Sequence, residues 1–131
     1  KPMPKAKAPI DQNALAAGPS QGQDGLQLKG RLWLEKNGET FLSWGRVVLL
    51  ERIVEHGSLS AAARSMGMSY IHAWGLVEEM SCLAGEDLVT KQTGGPGGGG
   101  ARLTPAGEKL VADFWSLVIE FRAWISSREL G

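Results

Sequence analysis

The stretch that most restricts what this chain can fold into is SLSAAARSMGMSYIHAWGLVEEMSC, Ser58 to Cys82, which writes two helix starts and one tight stop into a short span. Ser58 is placed to cap a first helix with its side-chain oxygen, and Ala61, Ala62 and Ala63 propagate that helix without loss of rotamer freedom. Gly67 tolerates the left-handed backbone that stops it, and Ser69 caps again at once. In the second helix Ala73, Leu76, Val77 and Met80 recur at three- and four-residue spacing and make one apolar stripe. Ile71, His72, Gly75, Glu78 and Glu79 fall on the other face. Side chains that end at Cβ let two helix backbones cross closely. The pair is therefore either an ordinary αα-hairpin or a helix-turn-helix unit that offers its second helix to a partner.

The flanking segments supply a setting for that pair. Leu28, Gly30, Leu32 and Leu34 alternate with Lys29, Arg31, Trp33 and Glu35, the period of a half-buried strand. Asn37-Gly38 is a turn pair that permits positive φ, and Thr40, Phe41 and Leu42 return to complete a hairpin. Ser43 caps a third helix, with Val47, Leu50, Ile53 and Val54 inward, Arg46, Glu51, Arg52 and Glu55 outward, and Gly57 at its end. Beyond a second stop at Gly85, Leu88-Val89-Thr90 and Arg102-Leu103-Thr104 read as short strands around TGGPGGGGA, which makes a wing. The formal G-x-G-x-x-G match at Gly95, Gly97 and Gly100 opens onto a strand where a dinucleotide site needs a helix, so it is set aside.

Thr104 caps the last helix with Pro105 at its first position, where the missing N–H costs nothing. Leu110, Val111, Phe114, Leu117, Val118, Phe121, Trp124 and Ile125 then run along it at helical spacing, with Trp115 widening the stripe. This is more apolar length than a domain of this size covers. Phe114, Trp115, Val118, Phe121 and Trp124 are therefore expected to meet a second copy of the chain, the other option being a helix folded back on its own hairpin.

Composition narrows the function classes. Residues 1–25 are rich in Pro, Ala, Gly and Gln and poor in large apolar side chains, which predicts a flexible arm ahead of a domain over residues 26–131. The one cysteine, Cys82, excludes an internal disulfide, and no secretory signal or membrane-length apolar run is visible, so a soluble cytoplasmic protein with no membrane contact is expected. His56, His72 and Cys82 are too few and too scattered for a closed zinc site, and no catalytic constellation is evident. No metal, cofactor or enzyme activity is expected. The chain carries 14 basic and 14 acidic residues, and from Gln27 onward 11 basic face 12 acidic. Any nucleic-acid contact must come from placement of a few charges and not from a general positive field.

The combined run GRLWLEKNGETFLSWGRVVLLERIVEHGSLSAAARSMGMSYIHAWGLVEEM, followed by TGGPGGGGARLTPAGEKL, resembles the N-terminal DNA-binding domain of the molybdate-responsive regulators, the ModE family, a winged-helix relative of the LysR type. The likeness covers about Gln27 to Trp124, and the pairing of MSY-x-x-AW with a TGG-x-GGGGA wing carries it. It implies a mainly α fold with small β elements, a winged helix-turn-helix with a long C-terminal dimerisation helix, acting as a homodimer on a palindromic operator in double-stranded DNA. Ser58, Ser60, Arg64, Ser69, Tyr70, Ile71, His72, Lys91 and Arg102 are the expected DNA contacts. Two positions depart from the family pattern: Ile71 and Pro96 stand where a Lys or Arg is usual. Lys29, Arg31 and the helix N-terminal amides at Ser69 and Tyr70 could compensate. These 131 residues hold no counterpart of the family's molybdate-binding domains, which leads us to expect a stand-alone regulator domain whose signal comes from elsewhere, for example a partner protein. The alternative is a protein-interaction module that keeps the fold and has lost most DNA affinity.

Overall fold

The computed structural model describes residues 15–19, 25–92 and 100–130. Within them the order of elements is β1 (Ala16–Ala17), β2 (Lys29–Gly30), β3 (Leu34–Lys36), β4 (Glu39–Leu42), α1 (Trp44–His56), α2 (Leu59–Ser65), α3 (Tyr70–Ala84), β5 (Val89–Gln92), β6 (Gly100–Leu103) and α4 (Pro105–Ser126). This is a winged helix-turn-helix with a long C-terminal helix. Three two-stranded antiparallel ribbons, β1-β2, β3-β4 and β5-β6, surround the helices.

Each helix starts where a side-chain oxygen can take up a free N–H of the first turn. The Ser58 hydroxyl accepts from Ala61 N at 3.1 Å, Ser69 from His72 N at 3.1 Å, and Thr104 from Gly107 N at 3.1 Å. Ser43 does the same for α1 at a longer 3.5 Å. Between α2 and α3 the chain turns through Gly67 at φ 69°, while Met68 N donates back to Ala63 O at 3.0 Å. That bond and the short loop fix the angle between the two helices. Ala62, Ala63 and Ala73 are all buried, so the crossing is as close as the small side chains predict.

The core joins Leu42, Val47, Leu49, Leu50, Ile53, Leu59, Val77, Met80, Leu88, Leu103, Val111, Phe114, Trp115 and Val118, and no polar or charged residue among those described is buried. Trp115 is 0% exposed and packs edge-on against Trp44 at 4.9 Å and Phe114 at 5.2 Å between ring centroids. A methyl at Gly107 would collide with the Leu88 carbonyl, so glycine there lets the first turn of α4 seat directly on the chain entering the wing. The wing is held from the other side by Ala101 N, which donates to Gly57 O at 2.9 Å.

Four expectations are corrected. Val54 lies on the outer side of α1 at 49% exposure, and Leu49 takes the inward place. The alternating run from Leu28 is not one strand: Lys29–Gly30 pairs with Ala16–Ala17, and only Leu34–Lys36 pairs with β4. Within the stretch read as a flexible arm, Ala16 is buried, Gly18 N donates to Leu28 O at 2.7 Å and Gln27 Nε2 to Gly18 O at 2.6 Å. Finally, Phe114, Trp115 and Val118 are consumed by the chain's own core and have no surface left for a second copy. The rest of the arm, residues 1–14 and 20–24, and the wing tip, residues 93–99 with Pro96, lie outside the described residues.

Candidate nucleic-acid interface

The outward end of α3 is built by its cap. With the Ser69 hydroxyl tied to the backbone of His72, the first turn is fixed and Tyr70, Ile71 and His72 stand exposed at it. Tyr70 is 41% exposed and Ile71 82%, the largest exposure of any big apolar side chain described. The free N–H groups and the helix dipole make this end mildly positive without any Lys or Arg in the turn.

The wing adds a cation to it. Lys91, on β5, extends its ammonium to Tyr70 Oη at 2.5 Å, and the same group lies 4.3 Å from the centre of the Trp74 ring. Tyr70 and Trp74 are one turn apart on α3 and so form a single aromatic platform. A lysine that would otherwise sample many rotamers is thus held beside the exposed end of the helix. Arg102, opposite Thr90 on β6, is also engaged: with the Gln92 amide turned to satisfy both groups, its oxygen accepts from Arg102 Nη2 at 2.6 Å and Nε at 3.1 Å.

Charge changes sign along α3. Beyond Trp74, Glu78 and Glu79 are exposed, and a groove of about 430 Å³ between α3 and the chain leading into β5 carries Glu78, Glu86 and Asp87 on its lining. Glu79 is paired with Arg46 of α1 at 2.7 Å, an ion pair that also ties the two helices. The N-terminal end of α3 is therefore the end that tolerates an anion, and its C-terminal half faces the other way electrostatically.

Of the residues expected at the interface, Ser69, Tyr70, Ile71, His72 and Lys91 come together at this end, and Lys91 touches Tyr70 directly. Ser60 and Arg64 are exposed on α2 and Arg102 is exposed on the wing. Ser58 is half-buried, with its hydroxyl spent on the α2 cap. Trp74 ends the MSY-x-x-AW motif but was not among the expected contacts, although its spacing of four from Tyr70 on a predicted helix was the available signal. Gln92 had no such signal, because its contact with Arg102 spans the wing.

Residues 44–108 match the model of the bacterial regulatory helix-turn-helix proteins of the lysR family. The chain is 44% identical over 108 residues to the molybdenum-pterin-binding protein MopB of Rhodobacter capsulatus, covering 82% of this chain and 39% of that protein. It is 40% identical over 93 residues to the molybdenum transport protein ModE of Azotobacter vinelandii, covering 71% and 34%. To the DNA-binding transcriptional dual regulator ModE of Escherichia coli (strain K12) it is 40% identical over 86 residues, covering 66% and 33%. The chain thus spans 39% or less of the length of these curated relatives.

Proposed function

We propose that this chain, whose residues 44–108 match the model of the lysR family of bacterial regulatory helix-turn-helix proteins, binds double-stranded DNA sequence-specifically and regulates transcription linked to molybdenum. The observation that carries the reading is the free, capped N-terminal end of α3, exposed from Ser69 to His72 with Lys91 fixed beside it. This end enters the major groove. Lys91 meets phosphate, as do Arg64 and Arg102 from α2 and the wing, and the acidic half of α3 points away from the backbone.

The protein works as a homodimer on an inverted repeat with half-sites about one helical turn apart. Leu117 and Trp124, seven residues apart on α4 and both exposed, supply the contact in place of the buried Phe114, Trp115 and Val118. Phe121, half-buried and stacked 6.4 Å from Trp124, completes that stripe.

Titrating the chain at several salt concentrations against its own upstream region, promoters of molybdenum-related genes and random duplex tests the proposal. Preference for one promoter by roughly a thousandfold is expected, and equal affinity for random DNA refutes sequence-specific regulation. The exposure of Ile71, in a chain with no net positive charge, favours one second reading, a protein-interaction module. Under it, DNA affinity emerges only when Ile71→Lys and Pro96→Arg are combined.

A further inference from the structure

Resting on the DNA-binding reading above, we propose that Ile71 is a specificity-determining residue that reads the C5-methyl group of a thymine in the major groove. Among the four bases only thymine presents an apolar group on that edge, and apolar side chains recognise it by contact. Ile71 is the second residue of α3 and is 82% exposed, so its own fold does not use it. Of the polar groups beside it, the Ser69 hydroxyl accepts from His72 N and Tyr70 Oη holds Lys91, while the His72 imidazole stays exposed as a polar group. The isoleucine is therefore the apolar group that this turn offers to a base edge. A β-branched side chain on a helix is nearly fixed at χ1, so little rotamer freedom is lost when it docks.

Gly75, one turn further along and exposed, strengthens the assignment. A Cβ at this position would meet nothing within 4 Å, so packing within the chain does not demand glycine there. The bare backbone lets α3 lie closer to the base edges, which brings a branched four-carbon side chain into reach of a methyl group. Where a lysine or arginine at this position would contact phosphate or guanine, the isoleucine reports a different base.

The test starts from a duplex selected by the wild-type chain out of a random library. Each thymine of the selected half-site is replaced in turn by deoxyuridine, which deletes only the methyl, and binding of wild type and Ile71→Ala is measured by fluorescence anisotropy. At one position per half-site the replacement should weaken wild-type binding about fourfold, the worth of one buried methyl. Ile71→Ala should bind the thymine duplex more weakly by a similar factor and be indifferent to deoxyuridine at that position, with its urea midpoint unchanged. A selected site whose thymine methyls are all dispensable, or a deoxyuridine loss equal in wild type and Ile71→Ala, overturns this inference and leaves DNA binding standing. A selection that enriches no duplex overturns both and returns Ile71 to a protein contact.

Discussion

The first turn of α3 and the middle of α4 both carry large apolar side chains at helical spacing, and the fold treats them in opposite ways. Trp115 and Phe114 on α4 disappear against Trp44 and the α1 core, whereas Ile71 on α3 stays in water although nothing prevents a polar residue there. The difference lies in what each helix has behind it. α4 rests on α1 with one side and receives the β1-β2 ribbon near its end, so most of its stripe is satisfied within one chain. α3 turns its apolar stripe of Ala73, Val77 and Met80 inward and still has Ile71 left over. An apolar residue that its own fold does not need is the better pointer to a partner.

The largest test of this contrast is Trp115→Ala, expected to lower unfolding free energy by about 3–5 kcal/mol, read by urea denaturation. Trp115→Phe should recover most of that loss, because the indole Nε1 is buried with no hydrogen-bond partner among the described residues. A cost for the alanine variant below about 1 kcal/mol would mean that the ring is not a core residue and would erase the contrast. On the α3 side, Lys91→Ala should weaken binding to all duplexes alike and reduce the slope of log affinity against log salt by about 0.9 for each protomer bound. A loss confined to one sequence would make the lysine a base reader. Ser69→Ala removes the cap that fixes the exposed turn and should cost about 1 kcal/mol of stability, measured by thermal unfolding. The smallest effect on folding belongs to the joint Leu117→Asp and Trp124→Asp variant, within roughly 1 kcal/mol. Sedimentation should nevertheless show it as a monomer where wild type is a dimer; unchanged sedimentation would remove these two residues from the interface.

The local grammar of this protein was legible in its sequence. Ser43, Ser58, Ser69 and Thr104 each cap the helix they were assigned, because capping depends on a residue and the N–H groups two or three places on. The wing strands and the lysR-type resemblance were legible for a similar reason, being carried by contiguous motifs. What could not be read was who covers whom. Periodicity says that Phe114, Trp115 and Val118 are buried, but it does not distinguish burial against α1 from burial against a second chain. The pairing of Ala16–Ala17 with Lys29–Gly30 is likewise invisible, since two alanines carry no alternation and their partners lie beyond an intervening segment. At the interface, the turn from Ser69 to His72 followed from the cap, while the grip of Tyr70 and Trp74 on Lys91 depends on the wing folding back to α3.

The short ribbon near the beginning of the chain has a practical meaning. Ala16 and Ile125 are both buried, yet neither belongs to the main core, and Gly18 and Gly30 come close to the far end of α4 at Ile125 and Phe121. They form a small clasp over Ile125 in the last turn of that helix. A clone trimmed to begin at Gln27, where the alternating pattern starts, would discard half of the clasp and wet a greasy helix tail, so soluble material for any binding study depends on a stretch that looks dispensable by composition.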